Sequence, residues 1–220
     1  MRAIADGVWM DTAPVRFLGL QLTANMVVLR LSDGGLLLYS PIPCTPERRA
    51  AVEALGTVKH LYSPNTFHHL RIGEWKAAFP AATLHAPAGL QKKRPDLKID
   101  RVHDDAAVDD AIEELPIDGF YLQERAVLHR PSRTLVVADL VHNIGRPEHW
   151  WTRTYTKLAG FYDRVAVSRI IRGTSFTDKA AARKSLAAIF ERDFERIVPG
   201  HGEPIVDDAK RQLQSAYAGF

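Results

Sequence analysis

Apolar residues in this chain come in short runs separated by turn-forming clusters, with helical spacing between some of them. Residues 26–31 and 36–39 are two such runs, joined by Ser32-Asp33-Gly34-Gly35. Glycine supplies the positive φ that tight turns require, so the spacing predicts a β-hairpin. A helix should follow, capped by Thr45, with Pro46 in its first turn and Gly56 at its end. Residues 58–62 read as a strand that delivers the chain into Ser63-Pro64-Asn65-Thr66-Phe67-His68-His69. Ile72, Trp75 and Phe79 then repeat at helical spacing until Pro80, and residues 82–86 read as another strand.

Residues 91–110 are polar and carry no clear period. Beyond them, residues 126–129 and 134–138 flank Arg130-Pro131-Ser132-Arg133, which predicts a second hairpin whose last strand runs into Asp139. Residues 148–172 read as one helix, with Trp150 and Trp151 near its start packed against the core. The helix after Thr177 has its apolar stripe at Ala182, Leu186, Ile189 and Phe190, and Asp178 favours its N-terminus. Residues 196–198 form a short strand into Pro199-Gly200-His201-Gly202. Ala209, Leu213, Ala216 and Tyr217 mark a final helix. Early hairpins, strand–helix alternation and closing helices together predict sheets covered by helices.

At 220 residues, with 46% apolar and 25% charged positions, residues 1–220 suit a single globular domain. The net charge of +3 is small, and the tightest basic cluster, Lys92-Lys93-Arg94, runs straight into Pro95-Asp96. That reads as a solvated loop, so no nucleic-acid partner is expected. The lone cysteine, Cys44, excludes an intrachain disulfide and a cysteine-based zinc cluster. Residues 1–14 lack a secretory apolar segment, and no stretch approaches the ~20 apolar residues that cross a bilayer. A cytoplasmic protein without a membrane partner is the expectation.

Chemistry must come from the histidines. His68-His69 lies on a loop just after a strand, Asp139 ends another strand, and His201 sits between two glycines at the end of a third. Imidazole and carboxylate are ligands that zinc, iron and manganese share, and strand ends at one sheet edge can bring them together. A plainer reading stands beside this one, in which the same side chains only hydrogen-bond their own loops. His142, three residues past Asp139, is either a replacement ligand or another loop hydrogen-bonder.

These parts, in this order, resemble the metallo-β-lactamase superfamily. The resemblance runs from the hairpin at 23–39 through the loop at 63–69 and Val136-Val137-Ala138-Asp139 to Val198-Pro199-Gly200-His201-Gly202. The run Pro131-Ser132-Arg133-Thr134-Leu135 is similar to that of an uncharacterised branch, a domain of unknown function. The implied fold is an α/β four-layer αββα sandwich of two mixed β-sheets flanked by helices. The family loop reads Thr-His-x-His-x-Asp-His, and in that register Pro64 and Thr66 replace two ligands of the first metal. Its third ligand would come from residues 114–123, which hold no histidine and offer only Asp118 as a substitute. His69 matches a second-metal histidine, His68 stands where the family has aspartate, Asp139 matches the bridging carboxylate, and His201 matches another second-metal ligand.

The resemblance therefore implies one zinc, iron or manganese ion on His69, Asp139 and His201, with His68 as a fourth ligand or a base, and no two-metal centre. It assigns no catalytic residue. Two classes follow. One is a mononuclear metal-dependent hydrolase of an ester, thioester, lactone or phosphoester. The other is a silent relative that binds a small molecule or protein partner without metal.

Overall fold

Leu36, Leu37, Leu38 and Tyr39 are all buried, although a strand with one solvated face would bury only alternate residues. The computed structural model, which describes residues 1–104 and 106–220, shows the reason. Seven strands, β1 (Arg2–Ala5), β2 (Val8–Phe17), β3 (Leu20–Arg30), β4 (Leu36–Tyr39), β5 (Val58–Tyr62), β6 (Thr83–Ala86) and β7 (Arg101–Val102), lie side by side in chain order. Pairing is antiparallel from β1 to β4 and parallel from β4 to β7. A second sheet of four strands contains β8 (Ile112–Pro116), β9 (Arg125–His129), β10 (Thr134–Val136) and β11 (Arg196–Val198) in the order β11-β10-β9-β8. There β10 and β11 run parallel and the other pairs antiparallel.

The helices are α1 (Pro46–Glu53), α2 (Ile72–Ala78), α3 (Ala88–Lys93), α4 (Trp150–Ala159), α5 (Arg169–Thr174), α6 (Lys179–Glu191) and α7 (Ala209–Ala216). Strand alternation sorts the side chains into layers. Met26, Val28, Leu36 and Leu38 face Val52 of α1, Ile72 and Trp75 of α2 and Leu90 of α3. Their sequence neighbours Val27, Leu29, Leu37 and Tyr39 instead meet Val127, Val136 and Val198 of the second sheet. The outer face of that sheet, with Leu128, Leu135 and Ile197, is covered by Ala182, Leu186 and Ile189 of α6 and Leu213 of α7. This is the expected αββα sandwich with two mixed sheets.

The hairpin β3–β4, the strands β5 and β11, and the cap in which Thr45 Oγ1 accepts from Arg48 N–H follow the sequence expectations. The single helix expected over residues 148–172 is instead two. Gly160, at φ 82°, closes α4 in the left-handed conformation, and α5 starts afresh at its Ser168 cap. Trp150 does not pack in the core but is 66% exposed, whereas the Trp151 indole N–H donates to Leu18 O in the β2–β3 turn. β1, β2 and β8 were not anticipated. The polar segment 91–110 contributes the end of α3 and β7, and Asp105 within it lies outside the described residues. Among the described residues no helix is long and apolar enough to cross a membrane.

Candidate metal centre

Because β4 runs parallel to β5 and β10 parallel to β11, the loops leaving these four strands can meet at one edge of the sandwich. Ser40 follows β4, His68 lies on the loop after β5, Asp139 follows β10 and His201 follows β11. His68 Nε2 stands 3.5 Å from Asp139 Oδ2, and His201 Nε2 stands 3.7 Å from Asp139 Oδ1. The two imidazole rings are 4.9 Å apart. One ligand atom from each of these three residues lies within 4.8 Å of those from the other two. Two ligands at the usual bond length from a tetrahedral zinc are separated by roughly 3.3 Å, so the donor set fits a single ion.

Each donor is held from behind. His201 Nδ1 is 2.6 Å from Thr23 O, and a carbonyl only accepts, so Nδ1 carries the proton and Nε2 keeps its lone pair. His68 Nδ1 is 2.7 Å from Ser40 Oγ. Ser40 adopts φ 54°, a strained conformation for a serine, in which its hydroxyl meets the imidazole. The Ser40–His68–Asp139 sequence of contacts resembles a nucleophile–base–carboxylate relay. Ser40 is nevertheless only 3% exposed, too buried for a substrate to reach its hydroxyl, so it orients the ring and does not attack.

The loop carrying His201 is fixed to the other sheet by Asn25 on β3. This buried carboxamide donates to Pro199 O at 2.9 Å and Gly202 O at 2.7 Å, while its backbone N–H donates to Gly200 O at 2.9 Å. Gly200 is required by proximity. A Cβ there would stand 2.7 Å from Ala138 O and 2.8 Å from His68 Cε1. Gly200→Ala is therefore expected to destabilise the protein by roughly 1–3 kcal/mol through overpacking, read from the urea midpoint. A midpoint equal to the parent would show that the loop yields without cost.

Electrostatics favour the ligating forms of two of the three donors, Asp139 and His201, while a metal would have to displace a proton from His68. Burial would raise the Asp139 carboxyl, but the charges of His68 and His201 and the His68 hydrogen bond hold it well below the usual carboxylate range. Burial, reinforced by the neighbouring His68 charge, pushes His201 down to about 4. Burial is the largest single influence on His68 and opposes its charged form, but the Asp139 charge, the Asp139 hydrogen bond and the Glu124 charge together outweigh it and leave His68 above its ordinary value. At neutral pH the cluster thus offers an ionised carboxylate and a neutral His201, both competent ligands.

The four sequence candidates do not all come together. His69, adjacent to His68, turns the other way, with Nδ1 3.2 Å from Arg94 Nη1 and a buried Nε2 that has no hydrogen-bond partner. Asn65 decides which histidine turns in. Its Oδ1 accepts the N–H groups of Phe67 and His68, each at 2.8 Å, and so fixes the turn that presents His68. His142 is buried with its ring 5.7 Å from that of His201, and its Nδ1 has no partner. Asp118 is exposed, with its N–H bonded to Ser185 Oγ, and takes no part.

Sequence reasoning missed the acid that does reach the cluster. Glu124, 1% exposed, accepts the N–H groups of Ala138 and Asp139 at 2.8 Å and of Leu140 at 3.3 Å. Burial and the Asp139 charge push it up to about 7. Only its place two residues before the apolar stretch of β9 hinted at burial. Phe17 at the end of β2 packs edge-on against Phe67, the residue before His68, with centroids 6.3 Å apart, and the β2–β3 turn is held by the Trp151 indole.

No known sequence family matches the chain, and no curated protein matches it in sequence. Solved structures do match. A metallo-beta-lactamase from Pontibacter korlensis superposes with a TM-score of 0.67 at 12% identity, covering 99% of this chain and 98% of its own. The metallo-beta-lactamase FIM-1 from Pseudomonas aeruginosa, in its mono-zinc form, gives 0.66 at 14% identity, covering 98% and 92%. The flavodiiron core of Flv1 from Synechocystis sp. gives 0.64 at 13% identity, covering 98% of this chain and 59% of that one. With two mixed sheets, flanking helices and a histidine–aspartate cluster at the strand ends, this chain has the metallo-β-lactamase fold.

Proposed function

We propose that the protein is a hydrolase that works with one divalent metal ion held by His68, Asp139 and His201, and that its substrate is an ester, thioester, lactone or phosphoester. The observation that carries this reading is the convergence of those three side chains, each braced by a separate partner. Three protein ligands with a further position open is the pattern of a catalytic site. When bound, the ion supplies a Lewis acid that acidifies water toward neutral pH and stabilises negative charge developing on the substrate. Thr23 and Ser40 hold the two imidazoles in place, and Asn65 Nδ2 holds Asp139 Oδ2 at 2.8 Å. Burial lowers His142 below its ordinary value, and its ring lies 5.7 Å from that of His201. The side chains of His68, Asp139 and His201 are 8%, 12% and 15% exposed, which suits a narrow cleft that a small substrate enters. That a protein of this fold exists in a mono-zinc form supports a single ion as a workable state of the architecture.

Protein purified without a metal-affinity tag should contain one equivalent of metal by element analysis. His68→Ala and His201→Ala should each lower metal affinity by at least about tenfold and abolish turnover of chromogenic esters, thioesters, lactones or phosphoesters. A protein that stays metal-free after incubation with zinc, iron or manganese removes the reading.

A further inference from the structure

Positive charge is concentrated in one stretch of the chain. Residues 146–172 hold six arginines and lysines against two acids, Glu148 and Asp163, so this short segment carries +4 while the whole chain carries +3. Most arginines elsewhere are ion-paired. Within the segment, among the described residues, only Arg146 is, to Asp163, and Arg153, Lys157, Arg164 and Arg169 have no carboxylate partner. Lys157 lies over the Tyr162 ring at 4.9 Å, and Arg164 donates to Gly160 O at 2.8 Å, at the C-terminal end of α4. Glu148, exposed, is the one unpaired acid set against them in the segment.

Exposed apolar side chains gather at the same place. Helix α4 packs through Thr152, Thr156 and Ala159, and at about 100° per residue Trp150, Thr154 and Leu158 point the opposite way. Leu158 is 72% exposed, and α4 contains no acid. The Trp151 indole ties the β2–β3 hairpin to this helix through Leu18 O, and Gln21 N–H donates to Thr152 Oγ1 at 2.8 Å. The hairpin outruns its neighbours, since its strands pair as far as Phe17 with Leu20, whereas β1 reaches only Met10 and β4 only Val27. At its tip Leu18, 79% exposed, adopts φ 48°, followed by Gly19 at φ 79°. Such a turn favours asparagine or glycine first, so a solvent-facing leucine there serves neither the turn nor the core.

Tryptophan, leucine and unpaired cations on one projecting surface match an interfacial membrane contact. There apolar side chains enter the acyl boundary while lysine and arginine meet anionic headgroups. Leu18 and Leu158 are aliphatic and offer nucleic-acid bases nothing to stack on, which sets this face apart from a nucleic-acid site. We propose that the hairpin tip and the outer face of α4, with Leu18, Trp150, Leu158, Arg153 and Lys157, dock the protein peripherally on an anionic lipid bilayer. The sequence expectation of no membrane partner came from the lack of a spanning stretch and from a small net charge, and neither bears on a local patch. The surface shares no residue with the metal cluster and stands with or without an ion.

The test is co-sedimentation of the full chain with phosphatidylcholine vesicles, with and without about 30% phosphatidylserine, in about 0.1 M salt. The expected result is binding to the anionic vesicles at least about tenfold tighter than to the neutral ones, and its loss in about 0.5 M salt. Arg153→Glu with Lys157→Glu, and Leu18→Asn with Leu158→Gln, all at exposed positions, should each weaken it by at least about tenfold, the second pair at unchanged charge. No preference for anionic vesicles, or full binding by both folded variants, overturns the proposal. A single-stranded oligonucleotide bound in place of the vesicles assigns the face to nucleic acid, and a dimer abolished by the same variants assigns it to a second copy; either result overturns the proposal too. Should circular dichroism show a variant unfolded, the wild type decides. Tryptophan fluorescence quenched by brominated acyl chains in the anionic vesicles supports the proposal, and fluorescence unchanged by them overturns it.

Discussion

Glu124→Ala is expected to lower stability by roughly 4 kcal/mol, one of the largest effects of any single substitution in this chain. The deletion removes the acceptors of three backbone N–H groups, those of Ala138, Asp139 and Leu140, and one partner of the Asn65 amide. All lie in the interior, where a donor left unsatisfied costs about 1–3 kcal/mol. The cavity adds to this, and release of a carboxyl that burial and Asp139 hold at a raised pKa subtracts from it. For a chain of 220 residues the expected drop in melting temperature is about 10 °C. The same deletion frees the turn carrying Asp139, so metal affinity should fall by about 10–100-fold, as for loss of other groups that orient a ligand. Calorimetry and chelator competition check the two effects. A variant melting within a degree or two of the parent would show that water replaces the carboxylate without cost.

Acidification from pH 7.5 to pH 5 should destabilise the protein through histidines far from the candidate centre. His85 is 2% exposed and hydrogen-bonded to His60 at 2.8 Å; His103 stacks on Tyr62 at 4.6 Å with neither ring nitrogen partnered. Burial, then the neighbouring His60 and Arg101 charges, lowers His85 to about 3. Burial and the Arg125 charge do the same to His103, also to about 3. Near neutral pH and above, both folded and unfolded chains carry these rings uncharged and the shift has no effect. Between the unfolded value of 6.5 and about 3 the unfolded chain takes up protons that the native one refuses, so stability falls with pH. At pH 5 each ring contributes roughly 2 kcal/mol of destabilisation. Glu114, which accepts from the Tyr62 hydroxyl, and Glu124 have raised values, so their protonation acts in the opposite direction and offsets part of the loss. A net fall of at least about 5 °C in melting temperature is expected. His103→Phe, which keeps the stacking surface, should make that fall smaller by roughly the 2 kcal/mol that one such ring contributes. Identical melting at pH 5 and pH 7.5 would contradict the assignment.

Much of the frame was legible because local rules and tertiary demands agree. β4 is apolar at every position because both its faces are covered, β5 and β11 each end in a buried apolar pair, and Ser32-Asp33-Gly34-Gly35 marks its turn without competition. Asp139 and His201 were legible as strand-end residues with a glycine on each side of the histidine. The choice between His68 and His69 was not. Neighbours on a loop point in different directions, and the direction here is imposed by the hydrogen bond that the His68 N–H donates to a third side chain, Asn65. Glu124 and Ser40 read in sequence like ordinary surface residues, because burial of a polar group depends on partners far along the chain. The break between α4 and α5 had a local signal in Gly160, whose left-handed φ ends a helix as surely as a proline.

Asn25 and Thr23 also bear on the order in which the molecule comes together. They sit on a strand formed early in synthesis, yet the groups they hold, Pro199, His201 and Gly202, are up to 179 residues further along. Such distant pairings close late and slowly. While the ribosome is still adding the segment beyond β10, β1–β7 can already pair, but Asn25 stands with its donors open and the cluster lacks a member. Joining of β11 thus acts as a checkpoint, and a nascent chain holds no complete ligand set until the loop that carries His201 has been made.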